Sequence, residues 1–135
     1  MGKKLNIKPQ TPDEPSVRQK SDNLVFDFAE LRPFSYVEAE NGSKFFIQYL
    51  ERLKKLGNLN WNTVNVSGRH SFGMEKMNVN NLTSSAKQHL PAGVNSLIVL
   101  RATGNNHAFL GIRDENVFRV IFIEYQFGDV YKHNH

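Results

Sequence analysis

The chain has 135 residues, carries 17 Lys/Arg against 13 Asp/Glu for a net charge of +4, and contains no cysteine. That length suits one compact domain, and the absence of thiols excludes disulfides, thiolate zinc sites and cysteine nucleophiles and fits a reducing, cytoplasmic setting. No apolar run is long enough to span a bilayer and no secretory hydrophobic segment is present, so no membrane partner is expected.

Residues 1–22, MGKKLNIKPQTPDEPSVRQKSD, hold almost nothing to bury and carry five Lys/Arg against three Asp/Glu. They read as a disordered or loosely attached basic arm, leaving 23–135 as the folded domain. LVFDFAEL (24–31) alternates apolar and polar positions and predicts a first strand, ended by Pro33. SKFFIQYLERLKKLG (43–57) predicts a helix. Ser43 is the expected cap, Phe46, Tyr49, Leu50, Leu53 and Leu56 form the expected stripe, and Gly57 is expected in a left-handed C-terminal position. NWNTVNVS (60–67) predicts a short second helix anchored by Trp61. Residues 67–93 are irregular, with MEKMNV readable as a short strand and SSAKQHL as a helical turn. NSLIVLRAT (95–103), HAFLGIR (107–113) and NVFRVIFIEY (116–125) predict three strands joined as an antiparallel meander.

The expected architecture is α+β: an antiparallel sheet of four to five strands with helix 43–57 and the short second helix on one face. Strand alternation assigns Ile98, Leu100, Leu110, Ile112, Val120 and Phe122 to the helix face. It assigns Arg101, Thr103, His107, Arg113 and Arg119 to an opposite face that is concave and partly open. VFRVIFIEY stands apart from this pattern, because it is apolar on both sides and so suits a strand covered on both faces.

Two stretches carry the residue types of acid–base and phosphate chemistry. SGRHSFG (67–73) sets Arg69 and His70 between glycines, a bidentate anion donor beside a group that titrates near neutrality, with Lys76 just beyond. In FGDVYKHNH, Gly128 breaks the strand and Asp129, Tyr131, Lys132 and His133 follow. If that segment is extended, Tyr131 and His133 share one side; Asp129 is then the expected carboxylate to orient an imidazole. The candidate catalytic set is Arg69, His70, Asp129, Tyr131 and His133. The candidate nucleic-acid-binding set is Lys76, His107, Arg113, Arg119 and Lys132. A metal site built from His107, His133 and His135 is set aside, since two of its ligands would sit at a frayed end; no cofactor is expected.

The order strand, helix, short helix, meander, together with NVFRVIFIEYQFGDVYKH at the end, resembles the small bacterial ribonuclease toxins of the RelE, YoeB and HigB type. The resemblance covers roughly residues 24–133. It implies a cytoplasmic, metal-independent endoribonuclease acting on RNA, often on the ribosome, and a cognate antitoxin protein as a second partner. In that likeness Tyr131 takes the family's C-terminal tyrosine, His133 a terminal histidine and Asp129 an acidic neighbour, while Arg69, His70 and Lys76 match its basic residues between the second helix and second strand. The sequence departs from the pattern at Gln126-Phe127-Gly128, where the family carries basic residues. A non-catalytic binding module, an accessory or inhibitor protein of a mobile element, is the alternative expectation. Its aromatic load includes Trp61, Phe109, Phe118, Phe122 and Phe127.

Overall fold

The computed structural model describes residues 22–67, 74–104 and 107–133. Five strands, β1 (Val25–Asp27), β2 (Glu75–Asn78), β3 (Ser96–Arg101), β4 (Ala108–Asp114) and β5 (Val117–Glu124), form one sheet in the order β1-β5-β4-β3-β2. The meander β3–β4–β5 is antiparallel and β2 adds antiparallel to β3. β1 pairs parallel with β5, so the sheet is mixed rather than purely antiparallel. Among the described residues three α-helices accompany it: α1 (Ser43–Leu56), α2 (Trp61–Val66) and α3 (Ser84–Lys87).

Helix α1 begins one residue earlier in logic than its sequence suggests. Gly42 occupies the cap with no side-chain bond, and Ser43 is already helical. The buried stripe is Phe45, Tyr49 and Leu56, not the one centred on Phe46 and Leu50; Leu50 is 64% exposed. Gly57 keeps a right-handed conformation. Its amide bonds to the Leu53 carbonyl, and further turn bonds from Asn58 and Leu59 carry the chain directly to α2 without a reversal. There the Asn60 side chain accepts from the Thr63 amide, satisfying one of the orphan donors at the start of α2.

Two apolar layers flank the sheet. The layer under α1 and α2 is aromatic, with Phe45, Tyr49, Trp61, Phe109 and Phe118 at its centre. Its rings meet edge-on: Phe109 and Phe118 lie 5.5 Å apart at 90°, and Tyr49 lies 5.0 Å from Phe109, the arrangement that ring quadrupoles favour. The second layer contains Met77, Leu82, Ala86, Val99, Leu110 and Phe122 and is closed by Val130 and Tyr131, with Phe34 packed against it. The opposite face is therefore covered rather than open, as the two-sided hydrophobicity of β5 required.

The expected parity fails in β4 because Leu100 pairs with Phe109 and not with Leu110, and in β5 for a local reason. Leu110 pairs with Phe122 but Gly111 pairs with Val120, so Ile121 is an extra residue in β5. This bulge turns both Ile121 and Phe122 into the second layer, while Phe118, Val120 and Ile123 face the helices. Leu110 also lies in the second layer, so the predicted apolar set is divided between both faces. At the bulge the strands approach so closely that a Cβ on Gly111 would stand 2.0 Å from the Arg119 carbonyl oxygen. Only glycine fits there without moving backbone.

Gly111→Ala is accordingly expected to destabilise the fold by about 3 kcal/mol or more, the upper end for overpacking. Urea unfolding measures this; a loss below about 1 kcal/mol would mean that the bulge relaxes freely.

Candidate functional site

The site grows from the end of β5. After Glu124 the chain turns, with the Asp129 amide donating to the Gln126 carbonyl at 3.0 Å. Gly128 supplies the positive φ of 89° that this turn uses. The chain then runs back beside residues 81–83: the Thr83 amide donates to the Val130 carbonyl at 2.8 Å and the Lys132 amide to the Asn81 carbonyl at 2.9 Å. A Leu82–Tyr131 bridge fixes the register.

Beneath this returning segment lies Glu124, with no exposed surface. One carboxylate oxygen accepts from the amides of Val130 at 2.9 Å and Tyr131 at 3.3 Å. The other lies 2.7 Å from His133 Nε2. The His133 ring is clasped between Phe127, at 3.8 Å, and Tyr131, at 3.9 Å, and its side chain is 4% exposed. Burial raises the Glu124 carboxyl above its ordinary value; the Val130 amide, the His133 charge and hydrogen bond and the Tyr131 amide pull against that rise without cancelling it.

Asp129 does not orient the imidazole. The turn directs it away, and its carboxylate accepts from the Ser35 hydroxyl at 2.7 Å. The same hydroxyl accepts from the Tyr125 amide at 2.9 Å, and the Thr83 hydroxyl donates to the Asp129 carbonyl at 2.8 Å. These bonds hold Ser35 at φ 71°, a conformation that costs a non-glycine residue about 1–3 kcal/mol. Asp129 thus ties the C-terminal turn to the segment after β1.

Tyr131, Lys132 and His133 form one wall of a groove of about 400 Å³; Lys76 on β2 and Arg101 at the end of β3 line the rest, with Glu75 as the acidic residue among the described lining. Arg101 is 9% exposed. Lys76, Tyr131, Lys132 and His133 are thus brought together. Arg69 and His70 lie outside the described residues.

The other candidates go elsewhere. His107 sits on the helix side, 4.9 Å from the Phe45 ring, with Nδ1 2.8 Å from the Thr103 hydroxyl. Burial lowers its pKa, and it is on the opposite face of the sheet from His133, so the two cannot share a metal; His135 lies outside the described residues. Arg113 lies over the Trp61 ring at 4.8 Å, and its Nε donates to the Glu115 carbonyl at 2.8 Å. Arg119 pairs with Asp114 at 2.9 Å in the β4–β5 hairpin. Register explains two of them: Leu100 pairs with Phe109, so the odd residues His107 and Arg113 take the helix side, whereas Arg119, paired with Ile112, keeps the expected face but lies outside the groove lining.

Sequence reasoning left Glu124 and Arg101 out of the site. The signal for both was a single charge closing an apolar strand, IFIE and LIVLR, where an unpaired charge would be costly. Comparison with family models, with curated proteins and with solved structures finds no significant match for this chain. Among the described residues no helix is long and apolar enough to cross a membrane.

The Glu124 carboxyl binds its proton more tightly folded than unfolded. Its contribution to stability is therefore fully present below the ordinary glutamate pKa and is lost as pH rises through its folded value. Replacing it by glutamine keeps an acceptor for the amides and removes the titration. The stability of Glu124→Gln relative to wild type should rise as pH increases above the ordinary glutamate value of about 4.3, as measured by denaturant unfolding at each pH. A relative stability that falls with pH would mean that the His133 ion pair outweighs burial.

Proposed function

We propose that the protein binds RNA in the groove beside β2 and cleaves a phosphodiester there without a metal, as a ribonuclease of the RelE type acting in the cytoplasm. One observation carries this reading: Lys76, Arg101, Lys132, Tyr131 and His133, from three separate parts of the chain, line a single groove. Cations of this kind hold a phosphate and stabilise the charge of a phosphorane. An imidazole with a buried carboxylate on one nitrogen is fixed in orientation, which leaves its other nitrogen to face a substrate. In the proposed step His133 takes the proton of the 2′-hydroxyl, and that oxygen forms a bond to phosphorus. The bond to the 5′ oxygen breaks, and Tyr131 supplies its proton. The products are a 2′,3′-cyclic phosphate and a 5′-hydroxyl end.

A second reading, RNA binding without cleavage, is favoured by the near-complete burial of the His133 ring between Phe127 and Tyr131. In that reading the histidine is a strut and the lysines do the work of binding.

Labelled single-stranded RNA incubated in EDTA distinguishes them. Wild type should produce cyclic-phosphate ends. Tyr131→Phe and His133→Asn should bind RNA while losing about 10²–10⁴-fold in cleavage, the usual contribution of a positioned acid or base. Lys76→Ala/Lys132→Ala should reduce the salt dependence of binding by a slope of about 1.4, two phosphate contacts on a single strand. Binding without cleavage by wild type would establish the second reading. No binding by wild type would remove both.

A further inference from the structure

A second basic hollow opens on the helix side of the same end of the sheet. It encloses about 660 Å³ and is bounded by Arg52, Lys54 and Lys55 on α1 and by Thr103 and Gly104 after β3, with Glu51 as the acidic residue among the described lining. Three cations against one carboxylate leave it net positive. No aromatic side chain is among the described residues that bound it, which sets it apart from the groove with its Tyr131.

The two hollows lie on opposite faces yet meet at one point of the chain. Arg101 lines the groove, and Thr103, two residues on, lines the hollow. Across that end of β3, the Arg52 guanidinium has its pKa lowered, first by burial and then by the positive charge of Arg101. Lys54 and Lys55 in the last turn of α1 have an ordinary explanation, since they complement the negative end of the helix dipole. Arg52 lies within reach of the Arg101 field, so an anion held in the hollow by Arg52 would feel the charge of Arg101 as well, at the point where hollow and groove meet.

We propose that this hollow is a second phosphate site, and that one strand of RNA held in the groove passes around the end of β3, by Arg101, onto the C-terminal half of α1. The inference rests on the groove being an RNA site. Cations and amides without a ring hold the sugar–phosphate backbone and leave bases outward, so this half of the path is indifferent to sequence. Any preference for particular bases then belongs to the groove, where Tyr131 is available to stack.

The test uses the full chain and two oligonucleotides of about 4 and about 12 nucleotides, which bracket the lengths that single-strand grooves accommodate. Binding is measured as a function of salt for wild type, Arg52→Ala/Lys55→Ala and Lys76→Ala/Lys132→Ala. Arg52 is half-buried and Lys55 exposed, so their loss leaves the core intact. Wild type should bind the longer strand more tightly and with the steeper salt slope. Arg52→Ala/Lys55→Ala should lower that slope by about 1.4 and leave the 4-mer unaffected. Lys76→Ala/Lys132→Ala should weaken both. If the α1 variant matches wild type on both strands while the groove variant does not, the second site is overturned and the groove reading stands. If wild type binds neither strand, or if neither variant changes binding, the groove reading falls and this inference falls with it.

Discussion

A carboxylate cut off from water must be met by donors, and Glu124 meets Val130, Tyr131 and His133, all within the nine residues that follow it. Two of them are backbone amides, so the bond fixes the path of the chain and not only the position of a side chain. That path brings Val130 and Tyr131 down as the cover of the second apolar layer, and it sets Lys132 and His133 beside β2. Removing the charge from one side alone would leave an unpaired buried group, a change that typically costs about 3–5 kcal/mol. The same contact therefore closes the core and builds the groove wall, and neither can be altered without the other.

The two faces of the sheet serve different ends. The helix face is a tight cluster of rings with two polar atoms, Tyr49 Oη and Trp61 Nε1, buried without a hydrogen-bond partner among the described residues. Those orphan groups cost stability, which the surrounding aromatic burial must exceed. The second face is assembled from short pieces, α3, the 81–83 segment and the C-terminal return, tied together by Ser35, Thr83 and Asp129. A face made of several short pieces leaves gaps between them, and the groove is one such gap.

Much of the secondary structure could be read from the sequence, because periodicity and turn residues are local. Meander strands β3 and β5, α1, α2, the short strand at MEKMNV and the helical turn at SSAKQHL all lie within the predicted stretches, and β4 runs one residue beyond its own, to Asp114. What could not be read was side-chain direction. One inserted residue at Ile121 reverses the alternation of β5, and nothing in the alternation of β4 reveals it. A second displacement lies in β4, where Leu100 stands against Phe109 and the odd residues take the helix side. The candidate residues that depend on local chain direction, Tyr131 and His133, meet as expected, whereas His107, Arg113 and Arg119, assigned by parity across strands, do not reach the groove. Asp129 was assigned to the imidazole because it is the nearer acid in sequence. Glu124, a strand residue nine positions before the histidine, lies under it because the chain doubles back.

The parallel pairing of β1 with β5 has a kinetic meaning. The bond from the Asn116 side chain to the Asn23 carbonyl spans 93 positions, and that from Ser35 to Asp129 spans 94. Contacts so distant in sequence are rewarded only after most of the chain entropy of closing the loop has been lost. The meander and α1 can organise from near neighbours, but the edge strand and the turn beneath it must await the whole domain. The folding transition state should therefore contain β3–β5 with little of β1, leaving one flank of β5 uncovered until the last step. That flank, with its row of open amides and carbonyls, is where a slow-folding or destabilised chain would first find another copy of itself.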